Sequence, residues 1–192
     1  MITGSGVIDF TESVKTDYIQ INGTEVVLEM NNQEVESGTP AHYSLIAKGS
    51  KVTINNANIN SGGGGIGAVD GAEVTFNGGT LAVNSTSTSG RYLFYAEGEG
   101  TVITINGGEF SFSKTLNQKR AYICAMAGTT VYVKGGTFGE ASTRSGYTAG
   151  ILTYEDGKVI ITGGTFGFNP STWVADGYQA VENAGVWTVS AN

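Results

Sequence analysis

The sequence predicts an all-β solenoid, a chain whose short strands wind into a coil of stacked repeats. One eight-residue motif, with apolar first, third and eighth residues around a turn, occurs five times. Its starts are separated by 22, 29, 28 and 28 residues, and a period of that size marks a solenoid. The accompanying Thr, Ser, Asn and Gly are typical of all-β surfaces. The five motifs are Val52–Ile59, Val74–Leu81, Ile103–Phe110, Val131–Phe138 and Val159–Phe166.

The composition fits one folded domain and argues against several functional classes. The chain has 192 residues, 40% of them hydrophobic, which excludes disorder. Its formal net charge of -7 disfavours a nucleic-acid-binding surface, because such surfaces need clustered Lys and Arg. No apolar run is as long as a transmembrane helix, and the first residues lack the regions of a signal peptide. We therefore expect no membrane contact and no export by the general secretory route.

Residues 1–41 predict an N-terminal cap and irregular first rungs. Three short runs here alternate or are apolar, and Asn22-Gly23 supplies a turn between the second and the third. A cap is needed because an open first rung would expose apolar surface and unpaired backbone groups. The three runs are Val7–Phe10, Tyr18–Ile21 and Glu25–Met30.

Residues 42–168 predict the repeats themselves, with three short strands in each. A second apolar run precedes every motif, and a third strand begins at the eighth residue of the motif. Turns that contain glycine separate the second run from the motif. The preceding runs are Tyr43–Ile46, Ile66–Val69, Tyr92–Tyr95, Tyr122–Met126 and Ile151–Tyr154.

Alignment of the five motifs predicts which side chains point inward. The first, third and eighth positions are apolar in all five, so we expect these residues to stack as columns in the core. The second position points outward and is Thr in three motifs, but Tyr132 and Ile160 occupy it in the last two, which predicts apolar outer surface there. The fourth position begins with Asn55, Asn77 and Asn106, which predicts a ladder of side-chain amides between rungs.

The turn inside each motif predicts a sharp corner. Its fifth and sixth positions are Gly-Gly in four motifs, because only glycine adopts a positive φ at little cost. Asn56 is the nearest substitute in the first motif. A separate run, Gly62–Gly65, lacks the Lys-Ser/Thr and the helix of a phosphate-binding loop, so we expect a flexible corner there.

The repeat pattern over residues 42–168 resembles the right-handed parallel β-helix. That resemblance implies about 5–7 rungs with three short strands in each. It does not indicate an activity, because lyases, adhesins and viral spikes share this fold.

Residues 169–192 predict a C-terminal cap made of a short helix and a hairpin. Asn169 is a candidate N-cap, Pro170 suits the first helical position and Gly177 would follow the helix end. Two strand-like runs then flank a turn at 183–185. The aromatic residues expected to cover the last rung are Trp173, Tyr178 and Trp187.

The closing passage, Gly163–Tyr178 followed by Gly185–Val189, is similar to the end of β-helical proteins from gut bacteria and their phages. A Thr, Ser, Asn and Gly surface, the lack of an export signal and a small rod with caps at both ends together predict a non-enzymatic virion structural protein, such as a capsid decoration, head fibre or spike-like component. The resemblance agrees with that class. Such a protein is made in the host cytoplasm and is later exposed outside the cell. It would form homo-oligomers, with a trimer favoured, and contact other virion proteins. Two alternatives stay open: a glycan-binding adhesin, and a polysaccharide lyase or hydrolase.

Two groups of residues are candidate contact sites. The first is an oligomer interface of outward apolar and aromatic side chains. The second is a basic docking edge for an acidic partner, although loop charges of this kind also serve solubility alone. The candidate interface is Tyr132, Ile160, Tyr147 and Tyr154, and the candidate docking edge is Arg91, Lys114, Lys119, Arg120 and Arg144.

No residue pattern predicts a catalytic, cofactor or metal site. His42 is the only histidine, and it has no Ser or Cys partner at a recognisable spacing. The turns before the motifs carry carboxylates at Asp70, Glu99 and Glu155. We expect these groups to be solvated, because no coordinating triplet recurs.

Two other features predict structure rather than chemistry. Glu73 beside Lys51 predicts an ion pair between rungs. Cys124 lies in an apolar run and is expected to be a small buried hydrophobe. As the one cysteine of the chain, it excludes an internal disulfide.

Overall fold

The computed structural model describes residues 1–37, 42–84, 91–112, 120–141 and 150–192. Within these ranges the regular structure is β-strand apart from one short 3-10 helix, and no helix there is long and apolar enough to cross a membrane. The strands form three sheets of mainly parallel neighbours, and the chain visits the sheets in a fixed cyclic order. The all-β class is therefore confirmed, and the topology is compatible with a β-solenoid.

Sheet 1 contains the first half of each motif and is parallel throughout. Its strands in the described ranges are β1 (Gly6–Asp9), β4 (Glu25–Glu29), β7 (Lys51–Asn55), β10 (Glu73–Phe76), β13 (Val102–Ile105), β16 (Thr130–Val133) and β19 (Lys158–Ile161).

Sheet 2 follows the corner of each motif and ends in an antiparallel hairpin. Its parallel strands, within the same ranges, are β2 (Val14–Thr16), β5 (Val35–Ser37), β8 (Ala57–Ser61), β11 (Gly79–Val83), β14 (Glu109–Phe112), β17 (Thr137–Glu140) and β20 (Gly164–Gly167). The hairpin strands are β21 (Tyr178–Asn183) and β22 (Val186–Ala191).

Sheet 3 closes each turn of the coil before the chain returns to sheet 1. Its described strands are β3 (Ile19–Asn22), β6 (Tyr43–Lys48), β9 (Gly64–Val69), β12 (Arg91–Glu97), β15 (Arg120–Ala125) and β18 (Ile151–Thr153).

The core consists of the side-chain columns that the motif alignment predicts. The third motif position pairs in register through Ile54, Phe76, Ile105, Val133 and Ile161, and every one of these residues is 0% exposed. Burial of one such side chain contributes about 1.5–3 kcal/mol, so the columns are the main source of stability. The eighth position forms a second buried column of Ile59, Leu81, Phe110, Phe138 and Phe166.

The same columns begin upstream of the first motif. Val26 pairs with Val52 and Leu28 pairs with Ile54, and both upstream side chains are buried. Strands β1 to β5 therefore belong to the same three sheets as the later strands. Residues 1–41 are predicted to form a cap with irregular rungs, and the described part of this region contributes paired strands to the three sheets.

The second glycine of each Gly-Gly corner has a positive φ. The values are 104° at Gly79, 124° at Gly108, 109° at Gly136 and 113° at Gly164, in the region that disfavours residues with a Cβ. A Cβ on Gly108 would also lie 2.9 Å from the Gly79 carbonyl oxygen and 2.9 Å from the Phe76 ring. In the first motif Asn56 has a φ of 50°, so the positive φ moves one position earlier where Asn replaces Gly.

The asparagine ladder is present and runs in one direction. Asn106 Nδ2 donates to Asn77 Oδ1 at 2.7 Å, and Asn77 Nδ2 donates to Asn55 Oδ1 at 2.7 Å. Asn55 Nδ2 then donates to Glu29 Oε1 at 2.5 Å. A carboxylate only accepts hydrogen bonds, so Glu29 at the end of the ladder fixes the orientation of all three amides.

The expectation of a flexible corner at Gly62–Gly65 is wrong for its second half. Gly64 and Gly65 begin β9, and both are buried. A Cβ on Gly65 would overlap the Leu93 carbonyl oxygen, and a Cβ on Gly64 would lie 2.5 Å from the Tyr43 ring. These glycines allow close packing rather than mobility.

The C-terminal segment forms the expected hairpin and the expected short helix, but the N-cap is Pro170 and not Asn169. The helix is a single 3-10 turn at Ser171–Trp173, and Asn169 Oδ1 accepts a hydrogen bond from the Ser171 backbone N–H at 2.9 Å. Strand β22 pairs antiparallel with β20, which places Val189 opposite Gly164. The three aromatic residues expected over the last rung, Trp173, Tyr178 and Trp187, are partly buried against the core.

The corner geometry predicts different effects of alanine at two adjacent glycines. Gly108→Ala should lower the free energy of unfolding by about 1–3 kcal/mol, because alanine is strained at this φ and meets the Phe76 ring. Gly107→Ala is the matched control, because its Cβ would meet nothing within 4 Å, and it should change stability by about 0.5 kcal/mol or less. Urea denaturation measures both. Equal effects of the two substitutions would contradict the assigned corner.

Candidate interaction surfaces

The outer face of sheet 1 carries a central column of β-branched and aromatic side chains, here called the outer stripe. Its members pair in register from β1 to β19, on the face opposite to the core columns. Val7 is 65% exposed and Tyr132 is 37% exposed. A column of this kind offers apolar contact area on the face of a sheet. The outer stripe consists of Val7, Val27, Thr53, Thr75, Thr104, Tyr132 and Ile160.

The outer stripe contains two of the four predicted interface residues. Tyr132 and Ile160 are direct neighbours on β16 and β19, as the motif alignment indicates. Tyr154 lies in the turn after β18, where its backbone N–H donates to the Ala125 carbonyl, so it is not on this face. Tyr147 lies outside the described residues.

Charged side chains flank the outer stripe near its N-terminal end. Lys51 lies in register between Glu25 and Glu73. Its Nζ is 3.3 Å from Glu25 Oε1, so Lys51 pairs with Glu25, and the expected pair with Glu73 is wrong. Both partners are more than half exposed, and such a pair contributes little to stability.

Sheet 3 carries a stack of tyrosines that sequence reasoning missed. The Tyr43 and Tyr95 rings lie 5.4 Å apart at 15°, and Tyr92 and Tyr95 lie 5.8 Å apart at 11°. Tyr43 occupies the space left by Gly64 and Gly67, whose Cβ atoms would meet its ring. Burial is the main cause that raises the pKa of Tyr43 and Tyr95. Each of the three rings stacks on at least one other ring.

A further buried tyrosine has a defined polar contact. The Tyr122 hydroxyl donates to the Glu140 carbonyl oxygen at 3.2 Å, and the residue is 2% exposed. Burial first, and the nearby Glu140 carboxylate second, raise the pKa of Tyr122 to about 12. The neutral phenol is therefore the form that the folded chain accommodates.

The predicted basic docking edge is only partly within the described residues. Arg91 and Arg120 are register neighbours on β12 and β15. Arg120 is 2% exposed, and its guanidinium carbon lies 5.2 Å from the centre of the Phe112 ring. Burial, and then the charge of Arg91, lower the pKa of Arg120. Arg120 is thus an interior residue and not part of an exposed edge, while Lys114, Lys119 and Arg144 lie outside the described residues.

A shallow surface groove of about 640 Å³, widely open to solvent, crosses four successive strands of sheet 2 at the Gly-Gly corners. The corner glycines leave it open, and the side chains at the strand starts provide hydroxyl groups and one carboxylate. Sequence reasoning missed it, although the recurring Gly-Gly-Thr was the available signal. The lining residues are Gly79, Thr80, Gly108, Glu109, Gly135, Gly136, Thr137, Gly164 and Thr165.

The carboxylates of the turns form no metal centre in the part of the chain that the structure describes. No group of three or more His, Cys, Asp and Glu side chains there is placed to hold an ion. Asp70 Oδ2 instead lies 3.2 Å from Lys48 Nζ in an exposed ion pair. Cys124 is buried, as predicted.

Comparison with protein-family models, with curated proteins and with solved structures found no match for this chain. The strand order and the columns define a parallel β protein compatible with a β-solenoid.

The buried phenol predicts a loss of stability in alkaline solution. The unfolded chain releases the Tyr122 proton near the ordinary pKa of 10, whereas the folded chain retains it to about 12. The contribution of the protonated Tyr122 phenol to the free energy of unfolding is therefore complete below pH 10 and decreases as the pH rises from 10 to 12. Urea denaturation across this range should show a shallower decrease for Tyr122→Phe than for the parent. Tyr18→Phe is the control for the loss of one tyrosine, because Tyr18 is 37% exposed. If the unfolding free energy of all three proteins decreased equally with pH, the raised pKa of Tyr122 would be contradicted.

Proposed function

We propose that this chain is a non-enzymatic structural protein that acts as a rigid rod for display and docking. Within this proposal the coil is a right-handed parallel β-helix with about 5–7 rungs, and the closing hairpin is its C-terminal cap. The most specific role is that of a virion component, such as a capsid decoration, head fibre or spike-like protein. The resemblance of the closing passage to β-helical proteins of gut bacteria and their phages suggests that role.

One observation supports the structural role most strongly. The apolar columns run without a polar interruption from Val26 to Val159 and from Leu28 to Ile161. Outside them, the amide ladder from Asn106 to Glu29 joins four strands along the same axis. Both sets of contacts resist bending of the coil, which suits a protein that holds a surface at a distance.

The virion role is tested on particles. Virus-like particles from a culture that encodes this chain are purified by density gradient and analysed by quantitative mass spectrometry. The proposal expects the chain in the particle fraction at a fixed ratio to the major capsid protein. Recovery of the chain only from the particle-free fraction would contradict the virion role, but it would not contradict the role of a rigid structural protein.

A glycan-binding adhesin is the second candidate, because the groove on sheet 2 favours it. Hydroxyls of Thr80, Thr137 and Thr165 and the carboxylate of Glu109 line this groove along the axis of the coil. An extended polyol chain would match such a row of hydrogen-bonding groups. A glycan array tests this function, and binding should be lost in a Glu109→Lys variant and retained in a Glu73→Lys variant. Absence of binding to every glycan would remove this candidate.

The cap assignment predicts opposite outcomes for two adjacent substitutions in β22. Val189 is 4% exposed and faces the core, whereas Ser190 is exposed. Val189→Asp should detach the hairpin from β20, because it buries a carboxylate without a partner, and the freed strand edge should cause aggregation. Ser190→Asp should remain monodisperse. Light scattering at 37 °C measures both, and a soluble, fully folded Val189→Asp protein would contradict the cap.

A further inference from the structure

We infer that the outer face of sheet 1 binds a second copy of this chain, and that the two copies lie antiparallel. The inference goes beyond the proposed function, because it requires no virion and specifies the partner and its orientation. It rests on the outer stripe and on the distribution of charge along its two sides.

The size of the face fits a weak dimer. The seven strands of sheet 1 in the described residues, spaced by about 4.8 Å and each about five residues wide, give a face of roughly 30 Å by 15 Å. Two copies in contact would bury on the order of 900 Å², which is less than the roughly 1,200–2,000 Å² of stable interfaces and is in the range of weak, transient ones. The exposed Val7 and Tyr132, which lie towards opposite ends of the stripe, would contribute apolar contact.

The two ends of the face differ in charge. Directly beside the stripe, β1, β4, β7 and β10 carry four carboxylates and one lysine, whereas β13, β16 and β19 with the residues that follow them carry two lysines. The turn before β19 adds the exposed Glu155 and Asp156 further from the stripe. Neither Lys134 nor Lys158 forms an ion pair with any described residue. The N-terminal set is Asp9, Glu25, Glu29, Lys51 and Glu73, and the C-terminal set is Lys134 and Lys158.

This polarity selects the orientation. In a parallel pair, the carboxylates of one copy would face the carboxylates of the other, which is unfavourable. In an antiparallel pair, Glu25 and Glu29 of one copy face the end of the other copy that holds Lys134 and Lys158. The same reasoning disfavours the parallel side-by-side trimer that the sequence resemblance implies, because it would gather the acidic ends.

Cysteine cross-linking tests the orientation directly. Val7→Cys and Ile160→Cys are made separately in a Cys124→Ala background, and only one of the two carries a size tag. Antiparallel contact predicts that mild oxidation of the mixture gives a mixed disulfide between Val7→Cys and Ile160→Cys, at least tenfold more than either homodimer. A predominance of Val7→Cys homodimers would overturn the inference, because it requires parallel copies.

Charge reversal tests the contact without oxidation. Lys134→Glu with Lys158→Glu should weaken self-association at low salt at least tenfold in sedimentation experiments. Mixing that variant with a variant that carries Asp9→Lys and Glu25→Lys should restore a heterodimer. Lys15→Glu, on sheet 2, is the matched control and should leave the dimer unchanged. A parent protein that stays monomeric up to about 0.5 mM would overturn the inference.

Discussion

Register between successive strands is the constraint on which the rest of this structure depends. Parallel strands about 4.8 Å apart place each residue directly over its counterpart in the neighbouring strand. A side chain in the core therefore packs on a side chain of the same kind, as Phe138 does between Phe110 at 4.6 Å and Phe166 at 4.8 Å. A shift of one residue would turn every column to the opposite face, so the apolar pattern holds the register firmly.

The corners and the amide ladder reinforce the register: the corners fix where each strand turns, and the ladder runs in one direction along the axis of the coil. Glycines with positive φ let each strand turn at the same point, and at Gly108 the Phe76 ring and the Gly79 carbonyl leave no room for a Cβ. The ladder of asparagines could in principle run either way along the axis. Glu29 removes that choice, because its carboxylate accepts from Asn55 and leaves each amide one orientation. Local polar contacts thus reinforce an arrangement that the apolar columns define.

Features that repeat at a fixed period were predictable from the sequence, and features that depend on packing between different repeats were not. The column through Ile54 and Phe76 follows from the motif alone. The Tyr43–Tyr95 stack does not, because it joins strands two turns apart and requires the small residues Gly64 and Gly67 between them. Burial of Arg120 was missed for the same reason, since a charged residue at a strand start carries no sequence signal of what covers it. The groove on sheet 2 arises because the corner glycines have no side chains, and a sequence search for reactive or ligand-binding side chains does not detect such a space.

The three outer faces differ although one repeat builds them all: sheet 1 offers a stripe with charge polarity, sheet 2 a hydroxyl-lined groove and sheet 3 a tyrosine stack. Each of them exists only if the strands are in register, so the register is the claim to test. Two double-cysteine variants in a Cys124→Ala background provide the measurement. Thr75→Cys with Thr104→Cys places neighbouring Cα atoms about 5 Å apart and should form an intramolecular disulfide, whereas Thr75→Cys with Tyr132→Cys places them about 10 Å apart and should not. A disulfide in the second variant, or none in the first, would contradict the account.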